Sequence, residues 1–138
     1  MKKISLLVII IMIMTAVAGC GSSSVEKISD LSGTWKQSNS NSDDSYQEAV
    51  ISGDTIEIYW VSDGGDSKSL YWAGSYDAPS EAVDTYSWNS VNDHEKTDSS
   101  LLASGDDTKT ITYEKGEISY SASAMGTTTT VRLKKIEK

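Results

Sequence analysis

From Leu31 to Lys135 the apolar residues return at every second position, in short runs cut by Gly and Asp. A period of two sends successive side chains to opposite faces of an extended chain, so each run can bury one face and wet the other. Eight runs have this form: 32–37, 46–52, 55–61, 67–76, 84–91, 108–114, 117–123 and 127–135. Ile56, Ile58 and Trp60 share a face, as do Leu70 and Trp72, Tyr86 and Trp88, Ile111 and Tyr113, and Val131 and Leu133. Gly53-Asp54, Asp63-Gly64-Gly65-Asp66, Lys115-Gly116 and Met125-Gly126 supply tight turns between them. No stretch keeps helical spacing for three turns. The pattern predicts an all-β domain, a small antiparallel up-and-down barrel of about eight strands, with a β-sandwich as the alternative. A closed barrel leaves no free strand edge, which suits a domain that no disulfide can staple. The longest irregular piece is 92–107, and a short run at 99–104 within it is a candidate ninth strand.

The first twenty residues obey a different rule. Lys2 and Lys3 precede an apolar run from Ile4 to Val17, broken only by Ser5 and Thr15, and the run closes on Val17-Ala18-Gly19-Cys20. A charged start, a short apolar middle and small residues at the end are the layout of an export signal. The run is shorter than the roughly 20 residues a membrane-crossing helix needs. An aliphatic residue, two small ones and then Cys resemble the bacterial lipobox. That resemblance implies cleavage after Gly19, diacylglyceryl and acyl (palmitate-type) lipid on Cys20, and a place on the extracytoplasmic face of the cell membrane. The expected organisation is a lipoprotein signal peptide at 1–19, a lipid-anchored tether at 20–31 and a β domain at 32–138.

Cys20 is the single cysteine, so no disulfide forms within the chain and the exported domain must stand on its own core. Loss of residues 1–19 leaves 119, enough for one domain. It also removes Lys2 and Lys3, which takes the formal charge from −8 to −10. Such a surface repels nucleic acid and anionic headgroups, so the membrane is expected as a partner only through the lipid on Cys20.

Gly33-Thr34-Trp35, directly after the tether, resembles the Gly-x-Trp that opens the barrel of lipocalins and their calycin relatives. That resemblance implies that Trp35 packs across the barrel floor and that a basic residue of the last strand lies over its ring. Arg132, the sole arginine, is the candidate partner. The phrases YWVSDGGDSKSLYWAGSY and LLASGDDTKTITYEKGEISY are similar to those of small uncharacterised lipoproteins of Gram-positive bacteria, a likeness that carries no activity with it.

Residues for catalysis or metal binding are scarce. His94 is the only histidine and sits in a polar loop beside Asp93 and Glu95, so a zinc site of His and Cys is not expected. The Asp and Gly of 63–66 and of 106–107 suit turns and do not match a calcium loop. No nucleophile motif occurs. The expectation is therefore no catalytic residue, no metal, no cofactor and no enzyme activity. Four Trp and seven Tyr with no Phe favour rings that keep one polar end wet. If Trp60 and Trp72 point inward, alternation sends Tyr59 and Tyr71 outward as an aromatic pair on neighbouring strands, a candidate contact surface. The sequence thus reads as a cell-surface lipoprotein with a non-catalytic barrel that binds an unknown small ligand or envelope protein. The alternative is a structural or interaction lipoprotein with no small-molecule site.

Overall fold

The computed structural model describes residues 27–124 and 126–137. The predicted signal peptide, Cys20 and most of the predicted tether lie outside the described residues. Eight strands form in chain order: β1 (Gly33–Gln37), β2 (Tyr46–Ser52), β3 (Thr55–Ser62), β4 (Ser67–Ser75), β5 (Thr85–Val91), β6 (Thr108–Glu114), β7 (Glu117–Ala124) and β8 (Thr127–Lys135). They make one sheet in the order β4-β3-β2-β1-β8-β7-β6-β5, all antiparallel. A single sheet curled into a half-barrel replaces the sandwich alternative. The hairpins form where Gly sits in the turns. Lys115 and Gly116 both take positive φ, 53° and 81°, which two-residue turns with the twist of the flanking strands require.

Away from the β3–β4 pair, the alternation read from the sequence is the alternation of burial. Trp35, Ala49, Ile51, Ile56, Ile58, Ile111, Ile118 and Leu133 are all at most 1% exposed and line the concave face. Trp72, Trp88, Tyr76 and Tyr113 fill the space between them. Each fully buried side chain of this size contributes roughly 1.5–3 kcal/mol by leaving water.

The first strand β1 pairs with the last, β8, so the curl brings the edge strands β4 and β5 near each other. One isolated bridge, Gly74 to Asn92, joins them directly. Side chains stitch the rest of the seam. Trp72 Nε1 donates to Ser90 Oγ at 2.9 Å, Trp88 Nε1 to the carbonyl of Ser75 at 3.1 Å, and the Val91 amide to Ser75 Oγ at 2.9 Å. These bonds occupy polar groups that free edges would leave unpaired.

Two segments depart from the sequence reading. The run at 99–104 is not a ninth strand; the piece between β5 and β6 holds one short helix, α1 (His94–Thr97), and then turns. Asp93 caps that helix, its side chain accepting from the Glu95 amide. The packed domain also reaches back before residue 32. Ile28 bridges to Val83, and Leu31 is fully buried.

Candidate binding site

An up-and-down sheet has two ends, and here they differ. The chain enters and leaves at one, together with the turns at 53–54, 76–84 and 115–116. The other carries 38–45, 63–66 and the long 92–107 segment.

At the entry end Trp35 is 1% exposed. Its indole Nε1 donates to the carbonyl of Leu31 at 2.9 Å, and its ring meets Tyr113 edge-on at 6.4 Å. Lys135 stands opposite Trp35 in β8. The two border an open concavity of about 450 Å³ with Lys27, Ile28, Tyr113 and Lys115. The expected pair of Trp35 and Arg132 is not made. Arg132 is exposed, opposite Ser119, because it lies between the buried Val131 and Leu133 and strict alternation turns it outward. The strand position beside Trp35 belongs to Lys135 instead.

The predicted outward pair of Tyr59 and Tyr71 also fails, because of how β3 and β4 pair. A register shift between β3 and β4 sets Ile58 against Trp72 but Tyr59 against Leu70, leaving Tyr71 as an extra residue. Such a bulge breaks the period of two. Tyr71 and Trp72 are consequently both buried, and Tyr71 stacks on Tyr120 at 6.4 Å and meets Trp60 at 5.4 Å. Tyr59 stays half-buried, and its hydroxyl donates to the carboxylate of Glu57. That bond and the Lys96 ammonium hold the Glu57 carboxyl below its usual range, so it stays charged and is unsuited to act as an acid near neutral pH.

The bulge helps to build a polar nest inside the far end. Lys109, from β6, is 7% exposed, and its ammonium lies 5.2 Å from the Trp72 ring, 5.3 Å from Tyr71 and 5.9 Å from Tyr120. It donates to the carbonyl of Ser121 at 2.9 Å, and the carboxylate of Asp106 stands off at 3.9 Å. Burial pushes the lysine below its ordinary range, and Asp106 partly restores it. Burial and the charge of Asp106 raise Tyr71 to about 12. Across the nest Gln47 is fully buried; its Oε1 accepts from the Tyr120 hydroxyl, and its Nε2 has no partner.

The 98–107 stretch roofs this end by polar bonds. Ser100 Oγ donates to the carbonyl of Leu70 at 2.9 Å, the Ser104 amide to that of Tyr71 at 2.8 Å, and Trp60 Nε1 to that of Leu102 at 3.3 Å. Asn92 Nδ2 reaches the carbonyls of Ser104 and Asp106. His94 spans the foot of the roof, Nδ1 to Asp98 at 3.1 Å and Nε2 to Asp107 at 3.0 Å. Leu101 is fully exposed.

Alternation carried a signal for the nest that apolar patterning alone passes over. Gln47 is in step with Ala49 and Ile51, and Lys109 with Ile111 and Tyr113, so both polar residues occupy inward positions. Among the described residues no three His, Cys, Asp or Glu gather as a metal site, and no helix is long and apolar enough to cross a membrane. No family model, curated protein or solved structure matches the chain.

Proposed function

We propose that this protein is an extracytoplasmic lipoprotein, held in the cell membrane by lipid on Cys20, whose lipocalin-like β domain is a non-catalytic binding module. The observation that carries the reading is the polarity of the fold. The chain enters beside Trp35, while the buried Lys109 and Gln47 and their roof lie at the opposite end. The seven residue steps from Cys20 to Lys27 span at most about 25 Å. An anchor at Cys20 therefore keeps the entry end near the bilayer and turns the roofed end outward. Donors buried without full partners are costly in a fold and useful in a site, because a ligand can satisfy them.

A second reading has its own support. The concave face is filled by Trp35, Trp72, Trp88 and Tyr76, and the concavity beside Trp35 opens at the surface. A filled domain with exposed Leu101 and Leu102 suits an interaction protein without a small-molecule site.

Presentation is tested on intact cells with a membrane-impermeant maleimide, using Leu101→Cys and Lys115→Cys variants. Leu101→Cys is expected to label rapidly and Lys115→Cys more slowly. Failure of both to label would place the domain inside the cell and end the proposal.

A further inference from the structure

We infer that the roofed end takes a neutral, hydroxyl-rich ligand, a saccharide unit, between the Lys109 nest and the 98–107 stretch. The inference deepens the reading of this end as the binding end and rests on it. Three features of the nest restrict what can enter.

The first is unmet hydrogen-bonding capacity. An ammonium has three N–H donors. Lys109 has one close acceptor, the Ser121 carbonyl, with Asp106 at 3.9 Å. Gln47 adds an amide nitrogen that is buried without a partner. A hydrocarbon ligand would leave these donors unmet, whereas a ligand rich in oxygen acceptors satisfies them.

The second is charge. Asp98, Asp106 and Asp107 lie on the stretch that roofs the nest, and Asp93 and Glu95 on the helix α1 that leads into it, against Lys96 and His94. Lys96 is committed to Glu57 at 2.9 Å, and His94 to Asp98 and Asp107. An acidic mouth repels anions, and the Lys109 ammonium behind it repels cations. A neutral ligand meets neither barrier, and its hydroxyls can donate to the Asp106 carboxylate, which is 69% exposed.

The third is the wall. Tyr71 and Tyr120 stack, Trp72 closes one side, and the half-buried Trp60 stands at the mouth under Leu102. With the roof lifted, the face of the part-exposed Trp60 suits the C–H face of a sugar ring, while Tyr71, Tyr120 and Trp72 back it and the few polar groups among them fix its orientation. Entry requires the roof to lift. It is held by the hydrogen bonds of Ser100, Ser104, Trp60 and Asn92, and its leucines are exposed, so opening sacrifices little buried apolar surface.

The test uses the full-length protein in a detergent without a sugar headgroup. Tryptophan fluorescence, to which Trp60 contributes at the mouth, is followed on titration with glucose, N-acetylglucosamine, cellobiose and diacetylchitobiose, and with glucuronate and glucosamine as charged counterparts. The expected result is a saturable change with at least one neutral sugar below about 10 mM. Both charged sugars should bind at least tenfold more weakly. Lys109→Met should keep the parental melting temperature, since a long apolar chain can replace a buried charge, and should lose the response. Should Lys109→Met fail to fold, Trp60→Leu serves instead, with a folded protein and the response to sugar, read by calorimetry, reduced at least tenfold. The inference is overturned if no neutral sugar gives a saturable change, if a charged counterpart binds as tightly, or if the folded variant binds like the parent. Labelling of Leu101→Cys on cells is read separately, so a correctly presented domain blind to sugars overturns this inference alone.

Discussion

Trp35 and Leu31 lock the start of the domain: the indole Nε1 donates to the Leu31 carbonyl at 2.9 Å, and both side chains are at most 1% exposed. The Leu31 amide in turn donates to the Tyr76 hydroxyl at 3.1 Å. Trp35→Ala therefore removes a large buried ring and strands a buried carbonyl. It is expected to destabilise the domain by about 3–5 kcal/mol, and Trp35→Phe by much less. Urea melts of residues 21–138 measure both. A Trp35→Ala variant that melts like its parent contradicts the packing described.

Tyr71 and Tyr59 are expected to separate in the same assay. Tyr71 is buried against Trp60 and Tyr120, and Tyr59 is half-buried with its hydroxyl on Glu57. Tyr71→Ala should cost about 3 kcal/mol or more and Tyr59→Ala about 1 kcal/mol. Equal costs would restore an unbroken alternation along β4.

Gly74 is a seam residue with no room for a side chain. A Cβ there would collide with Ser90 Oγ and lie 2.7 Å from both Trp72 Nε1 and the Val91 carbonyl. Gly74→Ala should force β4 and β5 apart and cost about 1–3 kcal/mol. Hydrogen exchange at the Val91 and Asp93 amides, which donate across the seam to Ser75 Oγ and the Ala73 carbonyl, should rise with it. An unchanged melt and unchanged exchange would show that the seam is open.

The His94 bridge predicts a pH dependence of definite sign. Hydrogen bonds to Asp98 and then Asp107 raise its pKa above the ordinary 6.5, with smaller contributions from their charges. Only the protonated ring can donate from both nitrogens. The bridge's stabilisation is therefore fully present below pH 6.5 and is lost as pH rises through the higher folded value. The melting temperatures of the parent and His94→Gln should differ most at acid pH and converge on the alkaline side. A proton NMR titration giving a His94 pKa at or below 6.5 removes the bridge.

If the protein is the proposed lipoprotein, Cys20→Ala is expected to abolish incorporation of a palmitate analogue and to shift the protein out of the lipidated membrane pool, because Cys20 is the sequence's single cysteine. Label retained by the variant refutes the lipoprotein assignment.

The strands were legible in the sequence because their cause is local. Ile56 and Ile58, or Val131 and Leu133, declare a buried face by spacing alone, and Gly53-Asp54 and Lys115-Gly116 declare where the chain reverses. Burial of Trp35 near one end was what the lipocalin resemblance implied, and Trp35 is 1% exposed at the entry end. The same alternation turned Arg132 outward, so its absence from Trp35 is a local fact that the lipocalin resemblance had overridden.

Tertiary structure alone decided what the period of two cannot encode. The bulge between β3 and β4 depends on how two strands meet, and its extra residue carries Tyr71 inward beside Trp72. Curling of the sheet then brings together Gln47, Tyr71, Lys109 and Tyr120, which lie on four different strands. Spacing assigns a residue to a face; only the register between strands and the closure of the sheet decide which faces share one interior. For this chain, local alternation determined the all-β architecture, and strand register placed a lysine inside it.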